Sequence, residues 1–256
     1  MTRWVFDIGN TRLKCAPVHE DGRIGEVTAL AHGDHARADE LESLLPSRGD
    51  WAYVCSVASP QRSLATIELL ATRFRGVSTA RTTSTFAGVR NGYPVPSKLG
   101  VDRFMAMVAA RARAPGAWLV CGVGTALTVD LLDPQGVHRG GRIAPSPSVM
   151  RAALRQAAPH LPLQGGHYQS FAVDTEAALV SGCDGAAIGL IQHSLAEATA
   201  LLGAAPAILL HGGGAGSLAG RLGQVQHEPS LVLQGLASWA MAGALPAPAD
   251  LESVPC

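Results

Sequence analysis

The 256 residues carry 20 basic and 20 acidic side chains, so the formal net charge is zero and neither a nucleic-acid nor an anionic-membrane surface is expected. A chain of this length buries a substantial core as one large domain or two small ones, and we read two. Cys15, Cys55, Cys121, Cys183 and Cys256 are scattered without a Cys-x-x-Cys pair, and no long apolar run or leading apolar signal region occurs, so a cytoplasmic protein with reduced thiols is expected rather than a disulfide framework, a zinc site or a membrane span.

Val5 and Phe6 predict a first strand that ends at Asp7, and Gly9-Asn10 predicts a tight turn into a second strand over 11–18. A glycine in that turn admits a ligand close to the backbone, Thr11 adds a hydroxyl and Lys14 a mobile ammonium. Asp7, at the strand end, is placed to hold Mg²⁺ directly or through water. The segment is not a Walker A loop, which needs Gly-x-x-x-x-Gly-Lys and leads into a helix. Read alone, it is equally an ordinary hairpin. Only Lys14 and Lys98 are lysines among the 20 basic residues, and ammonium is a compact point charge suited to phosphate.

A strand over 23–31, a short helix over 39–45, a buried strand over 51–57 and a helix over 61–74 follow. Residues 82–99 then break the alternation, with Gly88, Gly92, Pro94 and Pro96 keeping the backbone irregular, a length that is usually functional or disordered. The helix over 101–112 carries Phe104, Met105, Met107 and Val108 on its apolar side, either a core face or a subunit interface. At its entrance stand Tyr93, Gly100, Val101, Asp102 and Arg103. A carboxylate at such a place orients an acceptor hydroxyl towards a phosphoryl donor and takes its proton, which makes Asp102 the candidate. Arg103 would fork onto a substrate carboxylate or the transferring phosphoryl group, and Tyr93 would wall the pocket. Read as structure alone, Asp102 is an acid favoured by the helix macrodipole and Arg103 a surface residue.

The second half repeats the first. A strand over 117–121, a turn at Gly122-Val123-Gly124 and a return strand over 125–132 precede a third strand over 137–143 and a helix over 148–158. A helical region over 175–200, broken near Gly182, leads to a short strand over 207–210. That strand opens into His211-Gly212-Gly213-Gly214, backbone that lies flat against an adenine or ribose or makes a strand-to-helix turn. An apolar helix over 231–242 and a fraying Pro-rich tail close the chain. The expected domains are 1–115, with the first phosphate loop and the substrate loop, and 116–256, with the second phosphate loop and the glycine-rich adenosine segment.

This duplication resembles the superfamily of actin, Hsp70 chaperones and sugar kinases, which implies an α/β fold of two similar ribonuclease H-like domains with a nucleotide cleft between them. Asp-x-Gly-Asn-Thr at 7–11 with Lys14, Tyr93-Pro94, Gly100-x-Asp102-Arg103, Gly-Thr-Ala-x-Thr-x-Asp at 124–130, Gly140-Gly141-Arg142-Ile143-Ala144-Pro145 and Asp174-Thr175 together resemble the type III pantothenate kinases over nearly the whole chain. The resemblance implies phosphorylation of pantothenate by ATP, the first step towards coenzyme A, in a homodimer. It implies ATP binding by Asp7, Ile8, Gly9, Asn10, Thr11, Arg12, Leu13 and Lys14 with Thr125. Pantothenate would meet Tyr93, Gly100, Val101, Asp102, Arg103 and Thr175, with Asp102 as proton acceptor and Mg²⁺ beside Asp7. Three positions depart from the family pattern. Gly122 stands where an acid usually holds an activating K⁺ or NH₄⁺, Ser146 follows Pro145 in place of glycine, and Asp174 replaces asparagine. Two alternatives remain at this level. One is a kinase of the same superfamily with another small hydroxylated substrate. The other is a non-catalytic nucleotide-binding regulator, favoured by Gly122 and opposed by Asp7, Lys14, Asp102 and Arg103.

Overall fold

The computed structural model describes residues 1–31 and 36–243. Its contacts divide the chain into a first unit, Met1–Arg81 with Leu236–Cys256, and a second, Thr82–Gly235. The predicted tail beyond residue 243 lies outside the described residues.

In the first unit, β1 (Arg3–Ile8) and β2 (Arg12–Val18) form the expected hairpin, with Asp7 opposite Lys14 and Ile8 opposite Leu13. β3 (Thr28–Ala31) continues it antiparallel, while β4 (Gly49–Ser56) lies parallel on the other side of β1 and β5 (Phe74–Thr79) parallel on β4. Parallel neighbours need long crossovers, and α1 (Ala36–Leu44) and α2 (Pro60–Arg73) occupy those two connections. The Ser59 hydroxyl caps α2, and Pro60 takes a first-turn position that needs no N–H. Phe6, Ile8, Leu13, Val54, Leu70 and Phe74 share one core, where the Phe74 ring meets Phe6 edge-on with centroids 5.9 Å apart. Burying each such side chain contributes about 1.5–3 kcal/mol.

Two expectations change here. The strand predicted over 23–31 shortens to β3, because the Gly25 amide donates to the Pro17 carbonyl at 2.8 Å and only an isolated bridge links Val18 to Ile24. The helix predicted to reach residue 74 ends at Arg73, and Phe74 turns extended to begin β5, an edge strand the periodicity does not reveal.

The second unit begins with a small hairpin, β6 (Thr85–Phe86) and β7 (Val89–Arg90), inside the stretch expected to be irregular. After a 3₁₀ turn at Pro96–Lys98 comes α3 (Val101–Arg113). A second sheet follows from β8 (Trp118–Val123), β9 (Ala126–Leu132) and β10 (His138–Pro145), joined after α4 (Pro147–Ala157) and α5 (Thr175–Leu202) by β11 (Ala207–His211), α6 (Ala215–Ala219) and β12 (Val225–His227). Its order, β10-β9-β8-β11-β12, repeats the β3-β2-β1-β4-β5 order of the first unit, antiparallel on one flank and parallel on the other. The chain closes with α7 (Leu231–Met241).

Helix α3 packs on β8 and β9, so residues 82–115 group with the second sheet, whereas the sequence boundary at 115/116 assigned them to the first domain. Phe104, Met105, Met107 and Val108 are completely buried in the chain, which makes this face core and removes the subunit-interface reading. Helix α5 runs unbroken through Gly182. Each internal glycine costs about 1 kcal/mol of helix propensity, and burial of Ala187, Ile188, Ile191 and Ala198 against the second core offsets it. Among the described residues, no helix is long and apolar enough to cross a membrane, and Cys15, Cys55, Cys121 and Cys183 are buried thiols outside any disulfide.

Candidate active site

Helix α3 starts at Gly100, whose carbonyl accepts from the Phe104 amide at 3.0 Å to close the first turn. Asp102 stands in that turn, half-buried, and its Oδ1 accepts from the Arg103 amide at 2.8 Å. Burial pushes the Asp102 carboxyl above the usual carboxylate range, against the opposing pull of that N–H and of the Arg103 charge.

Arg103 is turned inward, with 6% of its surface exposed, which overturns its reading as a surface residue. Its Nε and Nη2 donate to Asp130 Oδ2 and Oδ1 at 2.9 and 2.6 Å, a bidentate pair, and Nη1 donates to the Tyr93 hydroxyl at 3.3 Å. Asp130, on β9, also contacts His138 Nε2 at 2.9 Å. An ionised carboxylate only accepts, so that nitrogen carries the proton. Burial raises the Asp130 carboxyl, but hydrogen bonds from His138 and Arg103 outweigh it and hold the group below the usual range. Burial likewise opposes the Arg103 charge, and Asp130 more than restores it. The Tyr93 ring stacks on His138 with centroids 5.7 Å apart and planes 15° from parallel. Gly141 completes the nest, because a Cβ there would stand 2.3 Å from Asp130 Oδ1 and 2.6 Å from Arg103 Nη2.

The two glycine turns have parallel construction. In the first unit the Gly9 amide donates to the Arg12 carbonyl at 3.0 Å, and in the second the Gly124 amide donates to the Ala126 carbonyl at 2.9 Å. Asn10, Thr11 and Arg12 are exposed, as are Gly124 and Thr125, whereas the Ile8 and Leu13 side chains belong to the first core. Lys14 is half-buried beside Asp7. Burial lowers its ammonium pKa, while the Asp7 charge acts the other way.

The family model for type III pantothenate kinase matches residues 4–197. The chain belongs to that family. It is 52% identical over 241 residues to a type III pantothenate kinase of Stenotrophomonas maltophilia, covering 94% of this chain and 98% of the relative. Two solved structures share the fold. One is a Campylobacter jejuni protein provisionally described as a Baf family transcriptional activator, with TM-score 0.60, 18% identity and coverage of 94% of this chain and 100% of that one. The other is a Sinorhizobium meliloti protein provisionally described as a 2-dehydro-3-deoxygalactonokinase, with TM-score 0.56, 14% identity and coverage of 96% and 100%. The α/β fold with two like sheets is therefore one that these solved structures share.

Within this family member the sequence-predicted Tyr93, Gly100, Asp102 and Arg103 do come together, with Val101 half-buried in the same turn. Thr175 heads α5 and lines an apolar cavity of about 930 Å³ with Pro145, Met150, Leu161, Leu179 and Cys183, and Tyr93, Asp102 and Arg103 are not among the residues lining it. Two departures from the family pattern serve as helix caps. Ser146 Oγ accepts from the Val149 amide at 3.5 Å, and Asp174 Oδ1 accepts from the Ala177 amide at 2.8 Å. Sequence reasoning gave no role to Asp130 or His138. The available signal was a charge within the apolar strand Leu127-Thr128-Val129-Asp130-Leu131-Leu132, which is stable only if paired.

Proposed function

We propose that this chain transfers the γ-phosphoryl group of ATP to the terminal hydroxyl of pantothenate, opening the route to coenzyme A. The observation that carries the reading is the Asp102 carboxylate at the head of α3, made more basic by burial and set next to Arg103, whose guanidinium is held by Asp130 and Tyr93. Asp102 orients the acceptor hydroxyl and takes its proton as the bond to phosphorus forms, and its raised pKa improves it as a base near neutrality. Arg103 takes the pantothenate carboxylate or the transferring phosphoryl group, and Tyr93 walls the acceptor pocket.

The exposed Gly9–Arg12 turn, with Asp7 and Lys14, would bind ATP phosphate, and Thr125 would do so from its own turn. The glycine-rich segment after β11 serves the adenosine. Ile8 and Leu13 serve through backbone groups, since their side chains are core. One carboxylate at a strand end fits Mg²⁺ that arrives with the triphosphate, which supplies the remaining oxygens, so Asp7 would hold the ion. When bound, Mg²⁺ neutralises charge on the phosphates. A homodimer is the expected assembly, with the second copy covering Phe171 and Val173, which are 95% and 97% exposed just before Thr175. That contact would bring Thr175 into use, and reduced thiols suit a cytoplasmic setting.

Purified protein incubated with ATP, Mg²⁺ and a panel of acceptors tests the reading by product mass. Pantothenate should gain one phosphate. Phosphorylation of a sugar instead, or nucleotide binding with no transfer, would overturn it.

A further inference from the structure

The family pattern implies an activating monovalent cation held by an acid at position 122, and the residues here do not fit one. Gly122 on β8 lies opposite Thr128 of β9 and His211 of β11, so the three stand in one row across the sheet. A Cβ at Gly122 would lie 2.7 Å from His211 Nε2, 2.9 Å from its Cε1 and 2.7 Å from Thr128 Oγ1. The space an acid would need is therefore bordered by an imidazole edge and a single hydroxyl. Potassium exchanges its hydration shell for several oxygens at once, and an imidazole nitrogen with an aromatic C–H is a poor substitute. The repeat sharpens the contrast. The matching position of the first unit is Asp7, an acid, flanked by Lys14 and Cys55.

We propose that the His211 imidazole fills the place of the monovalent cation and that this kinase turns over without one. The inference rests on the pantothenate kinase reading for its assay but not for its structural arm. In the assay, turnover is measured in tetramethylammonium chloride and then with KCl or NH₄Cl at equal ionic strength. The rates should agree within about twofold, and any larger activation by K⁺ or NH₄⁺ overturns the proposal. In the structural arm, crystals soaked in Rb⁺ should show no anomalous peak among Gly122, Thr128 and His211, and a peak there overturns the proposal whatever the kinetics show. Failure to phosphorylate pantothenate in every buffer would end the kinase reading instead, and the Rb⁺ crystals would still decide the cation question.

Discussion

The two hairpins hold matching places in their sheets, but the first carries an acid and an ammonium where the second is neutral. In the first unit the acid stands at the strand end, where Asp7 faces Lys14 across the β1–β2 ladder within reach of solvent. In the second unit that position is Gly122, and the carboxylate lies further along β9 as Asp130, 2% exposed and engaged by Arg103 and His138. On the proposed reading, the duplicated fold divides its acids by task. Asp7 would serve a ligand and its ion, while Asp130 holds Arg103 in place. Asp102 on α3 would supply the base.

The largest expected effect lies at that added carboxylate. Asp102→Asn should lower kcat by about 10²–10⁴-fold, the usual contribution of a general base, with the KM for ATP little changed. Turnover close to that of the parent protein would remove Asp102 from the chemistry. Because burial raises its pKa, the acid limb of the kcat/KM profile should lie above the ordinary carboxylate range of about 4. A limb at or below that range would contradict the assignment.

Next comes the buried acid. Asp130→Ala leaves the Arg103 charge without its partner, and unfolding in urea should show a loss of about 3–5 kcal/mol. The pair's folded-state carboxyl pKa lies below its unfolded value, so its stabilisation is present above about pH 4 and is lost as pH falls through the folded value. An Asp130→Ala protein with parental stability at pH 7 would mean that the buried pair is energetically idle.

Smaller effects compare the turns directly. Lys14→Met should weaken ATP binding by about 1.5–3 kcal/mol, a charge-assisted contact, whereas Thr125→Val should cost about 1 kcal/mol. Calorimetric titration that gave the reverse order would break the contrast between a charged and a neutral turn. Gly122→Ala should destabilise by about 1–3 kcal/mol through overpacking against His211, and a thermal melt unchanged by that methyl would mean the imidazole moves aside freely.

Much of this architecture was legible from local pattern. Both hairpins announce themselves by a glycine turn between β-branched and apolar runs, and the Asp102-Arg103 pair by its place after an irregular loop. What pattern does not carry is pairing at a distance. Arg103 finds Asp130 27 residues away, so the sequence alone leaves it equally a surface residue. β5 and β12 are edge strands whose short, mixed runs lack a clear period of two. The hairpin β6–β7 hides inside a Gly- and Pro-rich stretch because its turn, with Ala87 at φ 46°, uses the same residues that mark irregular backbone. The break expected at Gly182 fails for a different reason, since tertiary burial along α5 overrides a single residue's propensity. The motif joins Thr175 to the acceptor residues, and no local pattern shows the cavity that it lines between α4 and α5.

A crystal structure with a non-hydrolysable ATP analogue, Mg²⁺ and pantothenate decides the role of the carboxylate at the head of α3. An Asp102 carboxylate oxygen should stand about 2.6–3.2 Å from the terminal hydroxyl of pantothenate. An acceptor hydroxyl out of hydrogen-bond reach of Asp102 would remove that group from the reaction.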